Sequence, residues 1–122
     1  MFNYIPVEVL VLELNYVGFH VKDLGLLDAA VNRPAASAFG EDAYLSLSLK
    51  AAAQTQSIIK NHPMVDGNKR SAWIALNLFL GFNGIALNVT QDDIVNFVVA
   101  VATDLVSLEE MATWIETHSV AL

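Results

Sequence analysis

One segment of the sequence, Asn68 to Phe82, is apolar around almost its whole circumference when it is drawn as a helix. Its apolar run, Ser71 to Phe82, is well short of the roughly 20 residues that a helix needs to cross a bilayer. A short helix without a broad polar face is stable where other elements cover it. The sequence therefore predicts a buried helix at the centre of a bundle, and no membrane association.

Further helices flank this segment, and several carry recognisable start signals. Thr90 with Asp93 and Ser107 with Glu110 match the capping box, in which two side chains satisfy the unpaired N–H groups at a helix start. The first of these pairs differs from the standard capping box only in that Asp93 stands where the pattern has Glu. We expect helices at about Pro6 to Gly18, Leu24 to Asn32, Tyr44 to Asn61, Asn68 to Phe82, Thr90 to Thr103, and from Ser107 onwards.

Two segments give weaker signals. After Tyr44, alternating leucines favour a strand, but the length of the segment up to Asn61 and its run of alanines favour a helix. Arg33-Pro34 ends the second helix, because the residue before a proline is driven out of the α region. Ala35 to Ala43 is interpreted as a loop with room for a small hairpin, and Phe39 to Tyr44 as a flap. The expected fold is all-α, a single domain of residues 1–122 with about six helices.

Composition limits the possible functions. The chain has 122 residues, the size of one domain, and it lacks cysteine, which excludes disulfides and thiolate chemistry. No leader pattern opens it, so the cytoplasm is the expected compartment. The net charge of −7 argues against direct DNA binding, which needs a basic face. Only 16% of residues are charged and 55% are hydrophobic, which favours either a dense helical core or an apolar surface that needs a partner.

Half of all the cations, Lys60, Lys69 and Arg70, nevertheless fall within eleven residues around the segment HPMVDGNKR. The start of a helix near Asn68 presents unpaired N–H groups that favour an anion, and phosphate in particular. Gly67 allows a ligand to approach the backbone, and Asn68 can cap the helix or donate to a phosphate oxygen. The sequence therefore predicts a phosphate-binding helix start.

Two further residues of this segment suggest a reaction. Asp66 supplies a hard oxygen ligand for Mg²⁺, which usually binds through one or two carboxylates and substrate phosphates. His62 can take a proton from a hydroxyl group. Together they predict phosphoryl or nucleotidyl transfer to an alcohol. Each residue also has an ordinary structural role, as a hydrogen-bonding residue, a turn residue or a solvated residue at a helix start. We interpret His20 and His118 as surface or capping residues.

The combination resembles the signature of the Fic/Doc family, His-x-Phe-x-Asp/Glu-Gly-Asn-x-Arg. The Doc (death-on-curing) branch is similar over a longer stretch, about Val21 to Ile115. The resemblance implies a Fic-type helical bundle and a toxin that pairs with a Phd-type antitoxin. The blocks that carry the resemblance, in order, are VKDLGLLDAAVNRP, FGEDAY, NHPMVDGNKRSA, FLGFNGIAL and VATDLVSLEEMATWI.

The family pattern also implies roles for individual residues, with ATP and Mg²⁺ as cofactors. His62 matches the base that accepts the target hydroxyl proton, Asp66 matches the residue that holds Mg²⁺, and Arg70 matches the phosphate-clamping arginine. The remaining matches are to positions around the phosphates, namely Lys60, Gly67, Asn68 and Lys69.

Lys69 indicates which group is transferred. AMP-transferring members of the family have a glycine at this position and a second arginine three residues after the first, where this chain has Trp73. Doc-type proteins carry lysine and bind ATP with its γ-phosphate presented. The resemblance thus implies a protein kinase acting on a threonine of elongation factor Tu. An AMP transferase and a catalytically weak binding module stay open, the latter because Met64 replaces the usual phenylalanine.

Overall fold

Six α-helices, two small antiparallel sheets and one 3₁₀ turn make up the computed structural model, which describes residues 1–122. The predicted all-α bundle is confirmed. The longest helices have 15 residues, and none combines the length and apolar character needed to cross a membrane. The helices are α1 (Val7–Tyr16), α2 (Leu24–Asn32), α3 (Leu47–Asn61), α4 (Asn68–Phe82), α5 (Gln91–Ala102) and α6 (Leu108–His118), and the strands are β1 (Ser37–Ala38), β2 (Glu41–Asp42), β3 (Ile85–Leu87) and β4 (Ser119–Ala121).

Both predicted capping boxes are present. The Thr90 hydroxyl accepts a hydrogen bond from the Asp93 N–H at 3.1 Å, and the Asp93 carboxylate accepts one from the Thr90 N–H at 3.0 Å. Hydrogen bonding to Thr90 lowers the pKa of the Asp93 carboxyl group from its usual value. The backbone of Thr90 has the larger effect and its side chain the smaller one. Ser107 and Glu110 form the same pair at the start of α6. These helix starts are therefore specified locally by the sequence.

The end of α2 differs from the prediction in its mechanism. The helix stops at Asn32 as expected, but Arg33 keeps right-handed helical angles of φ −55° and ψ −41°. Because Pro34 lies in the first turn of a 3₁₀ helix, Arg33–Ala35, its missing N–H leaves no bond unmade there. The proline therefore tightens the helix end rather than driving Arg33 into an extended conformation.

Two two-stranded antiparallel sheets are present where one hairpin was expected. Strands β1 and β2 form the predicted hairpin, with Phe39 and Gly40 both at positive φ in its turn. The hairpin starts at Ser37, two residues before the segment that was predicted as a flap. Strands β3 and β4 form a second sheet, in which Ile85 pairs with Ala121. This sheet was not predicted, because its strands have three residues each and lie far apart in sequence.

The most buried helix is α3, not the apolar segment that became α4. Nine residues of α3 are buried, compared with six residues of α4. Helix α3 packs against α2, α4, α5 and α6. Its buried side chains are mostly small ones such as Ala51 to Ala53, which let neighbouring helices approach closely. Hydropathy alone predicts α4 as the central helix of the bundle. The small side chains of α3 make α3 the central helix instead.

Lys50, on this central helix, is fully buried. Its ammonium group donates to the Pro34 carbonyl at 2.9 Å and to the Asp42 carboxylate of β2 at 3.1 Å. The same group lies 4.9 Å from the centre of the Phe2 ring and 5.5 Å from that of Tyr4. One buried cation therefore connects the N-terminal segment, the hairpin and α3.

We expect Lys50→Ala to lower the free energy of unfolding by about 2–4 kcal/mol, because it leaves a cavity and removes the partner of the Pro34 carbonyl. Lys60→Ala in the same helix is the matched control. Its ion pair is partly exposed, so its loss should cost less than about 1 kcal/mol. Urea unfolding of both variants measures the difference, and equal losses would contradict the role of Lys50.

Candidate active site

All seven predicted site residues line one open pocket of about 620 Å³. The pocket lies at the junction between the end of α3 and the start of α4. The structure therefore brings together every residue that the sequence singled out, and none of them lies elsewhere. The predicted residues are Lys60, His62, Asp66, Gly67, Asn68, Lys69 and Arg70, and the pocket adds Phe19, Ile59 and Ala102.

His62 forms the C-cap of α3 in the left-handed conformation, with φ 51° and ψ 58°. Its N–H donates to the Ile58 carbonyl at 3.3 Å, which ends the helix. The chain then reverses its direction, so that Pro63 and Met64 are buried while the His62 side chain stays exposed in the pocket. The helix end therefore presents the imidazole to solvent and to any bound ligand.

The motif loop, Pro63 to Gly67, is hydrogen-bonded to the segment between α1 and α2. The N–H groups of Lys22 and Asp23 donate to the Pro63 carbonyl at 2.8 and 2.9 Å, and the Val65 N–H donates to the His20 carbonyl at 2.9 Å. These backbone bonds do not depend on side-chain identity. They fix the loop relative to the bundle and leave its exposed residues free to bind a ligand.

Met64 and Asn68 hold the loop from the other side. Met64 is fully buried in the core, so it fills the position where the family signature has phenylalanine. The Asn68 amide accepts from the Met64 N–H at 2.9 Å and donates to its carbonyl at 3.4 Å. The alternative that Asn68 caps α4 was wrong, because Gly67 is the N-cap residue and Asn68 is the first helical residue. Its amide is instead used to hold the loop.

The start of α4 is the cationic part of the pocket. The first helical bond runs from the Ser71 N–H to the Gly67 carbonyl at 2.8 Å, so the N–H groups of residues 68–70 precede it, and no side chain caps them. Lys69 and Arg70 are exposed and neither forms an ion pair. Unpaired donors, the helix dipole and two free charges thus favour a phosphate at this point.

Phe19 is a site residue that the sequence analysis missed. A Cβ atom added to Gly67 would overlap the Phe19 ring, so the ring packs directly against the glycine backbone. Gly67 also has a φ of 72°, which disfavours other residues. The only sequence signal for Phe19 is a large aromatic residue directly after the helix-ending Gly18, which does not by itself predict a site.

Asp66 is the only acidic side chain that lines the pocket, and no group of three or more metal-binding side chains exists in the structure. A single carboxylate is a poor site for a metal held by protein alone. It suits Mg²⁺, which keeps several water molecules and binds together with substrate phosphates. The donor set therefore fits Mg²⁺ that arrives with a nucleotide.

A helical bundle with a histidine, one carboxylate and a cationic helix start around a single pocket is the arrangement expected of a Fic-type protein. The comparisons with known proteins agree. Residues 8–80 match the Fic/DOC family model, and the chain belongs to this family. It is 50% identical over 93 residues to Toxin Doc of Mycolicibacterium smegmatis (strain ATCC 700084 / mc(2)155), a match that covers 72% of each chain. The family and this relative together support a toxin of a toxin–antitoxin module, from a family of transferases that act on proteins.

We expect Gly67→Ala to destabilise the protein by about 1–3 kcal/mol, because the new methyl group overlaps the Phe19 ring and the backbone is strained. In a Phe19→Ala background the overlap disappears, so the same substitution should cost at least about 0.5 kcal/mol less. Thermal unfolding of the four proteins measures this coupling. An equal cost in both backgrounds would mean that Phe19 does not restrict the turn.

Proposed function

We propose that this chain is a toxin that transfers the γ-phosphoryl group of Mg²⁺-ATP to a hydroxyl group of a protein. The observation that carries the proposal is the convergence of His62, Asp66 and three cations on one pocket. None of the three other main pockets combines a histidine, a carboxylate and cations.

In the proposed reaction, His62 accepts the proton of the target hydroxyl as its oxygen forms a bond to the γ-phosphorus. The bond between that phosphorus and the bridging oxygen breaks, and ADP leaves with the bonding electron pair. Little covalent chemistry is required of the protein in such transfers, so positioning and charge neutralisation supply most of the catalysis. The open pocket leaves His62 accessible to a protein substrate.

The other site residues bind the nucleotide in this proposal. The N–H groups at the start of α4, with Lys69 and Arg70, bind phosphate oxygens, and the planar guanidinium can bind two at once. Asp66 holds Mg²⁺, which neutralises charge on the phosphates when it is bound. Lys60 adds a third cation from another element, the last turn of α3.

Trp73 supports kinase chemistry over AMP transfer. It occupies the position at which AMP-transferring members have a second arginine. Its ring lies edge-on to those of Phe97 at 6.5 Å and Trp114 at 6.3 Å, so it is part of an aromatic cluster shared by α4, α5 and α6. No cation is therefore available one turn beyond Arg70 to hold the phosphates in the AMP-transferring orientation.

The proposed target is a threonine of elongation factor Tu, as the Doc-branch resemblance implies. Phosphorylation of this factor would stop translation in the cytoplasm. The acidic character of the chain agrees with a protein target, which does not need the basic surface that a nucleic acid needs.

ATP labelled at either the γ- or the α-phosphate tests the transferred group. We expect γ-label on purified elongation factor Tu, and a decrease of about 10²- to 10⁴-fold in the rate with His62→Ala, because a general base is lost. His20→Ala is the control, since that exposed side chain lies outside the pocket. Label from the α-phosphate would indicate an AMP transferase, and no label would indicate a binding module.

An apolar groove of about 620 Å³ beside the pocket is the proposed antitoxin site. It runs between the end of α1, α4 and α5, and Phe19, Lys69 and Arg70 line both the groove and the pocket. A Phd-type antitoxin segment that folds into a helix in this groove would cover Arg70. The low charge fraction of the chain agrees with a surface that is covered by a partner.

Val95 and Val99 test the antitoxin site, because they lie one turn apart on α5, line the groove and are about half exposed. We expect Val95→Glu and Val99→Glu to abolish rescue of growth by the antitoxin while toxicity remains, since each places a charge in an apolar contact. Leu45→Glu is the control, because exposed Leu45 does not line the groove. Full rescue of both valine variants would exclude this groove.

A further inference from the structure

Lys60 lines the pocket, and its ammonium group is hydrogen-bonded to residues at the end of α5. The group donates to the Asp104 carboxylate at 2.7 Å and lies 3.4 Å from the Ala102 carbonyl, which accepts a longer bond. Ala102 is the last residue of α5 and Asp104 lies in the turn that follows it, so both acceptors belong to the end of this helix. An ammonium group has three N–H donors, so these two bonds leave one for a ligand in the pocket.

Asp104 occupies a backbone position that favours glycine. Its φ is 58°, in the left-handed region that aspartate tolerates better than most residues but less well than glycine. Its N–H donates to the Val101 carbonyl, and the next N–H, of Leu105, donates to the Ala100 carbonyl. Glycine would therefore end α5 in the same way and with less strain.

Packing in the core does not explain why residue 104 is an aspartate either. Its side chain is 73% exposed, and its only side-chain bond is to Lys60. This ion pair is one of two in the structure, and the other anchors the hairpin through buried Lys50. The carboxylate of Asp104 thus has one contact, and that contact is with a cation of the candidate active site.

We propose that Asp104 is a positioning residue that orients Lys60 toward the phosphates, an inference that rests on the proposed nucleotide site. Two of the three donors of Lys60 are fixed to the end of α5, which sets the direction of the third. The same carboxylate places a negative charge near the phosphates and competes with them for the ammonium group. Asp104 therefore weakens nucleotide binding while it improves the alignment of the bound nucleotide.

Asp104→Asn and Asp104→Gly separate this role from that of a helix cap. Asparagine keeps the left-handed conformation without the charge, and glycine suits the backbone better than aspartate. We expect both variants to bind ATP about three- to tenfold more tightly and to turn over about tenfold more slowly, with undiminished thermal stability. If Asp104 served only to end α5, the glycine variant would retain the wild-type rate, and that result would overturn the proposal.

Lys60→Met provides the second test, because methionine keeps the length of the side chain without its charge. In this background we expect Asp104→Asn to have no further effect on turnover and a smaller effect on ATP affinity, since the residue acts through Lys60. Equal effects of Asp104→Asn with and without Lys60 would overturn the proposal.

Calorimetry with Mg²⁺-ATP measures affinity whichever phosphate is transferred. If the wild-type chain binds ATP but transfers no label, the proposed kinase reaction fails. The ATP affinities of Asp104→Asn with and without Lys60→Met then still test the role of Asp104. If the wild-type chain binds no ATP, both proposals fail.

Discussion

The motif loop between α3 and α4 keeps its shape because its backbone is hydrogen-bonded on two sides. One side pairs with the segment that follows α1, and the other is held by the Asn68 amide, while Met64 is inserted into the core. No disulfide contributes, since the chain has no cysteine. Because the loop uses its backbone and the buried side chains of Pro63 and Met64 for stability, its exposed residues are left for chemistry. The positions of the site residues from His62 to Arg70 therefore depend on this loop.

The features that the sequence predicted are the local ones. The two capping boxes and the cluster of chemistry in HPMVDGNKR depend on residues within a few positions of one another, and the structure contains them all. The bounds of α4 were predicted in the same way. What the sequence did not predict depends on distant partners: the ring of Phe19 on Gly67, the buried contacts of Lys50, and the pairing of β3 with β4. Such contacts leave no periodic pattern in the chain, so hydropathy and spacing do not reveal them.

The six cations of this acidic chain have separate uses. Arg33 and Lys50 stabilise the fold, the former through bonds to Tyr44 and to three residues of α3. Three others surround one pocket, and only Lys22 lies outside these groups. With a net charge of −7, the rest of the surface repels anions. A phosphate-bearing ligand is therefore attracted to one place on the molecule, and binding there should weaken as ionic strength rises.

The pocket and the apolar groove share the side chains of Phe19, Lys69 and Arg70. A molecule in the groove that shifts any of these residues changes the affinity of the pocket for phosphate. Thermodynamic linkage then requires the reverse effect to have the same size, so a phosphate ligand changes the affinity of the groove by the same factor. Under the proposed function, the concentration of nucleotide in a cell would therefore help to set how much of this protein is held by a partner, without any separate sensor.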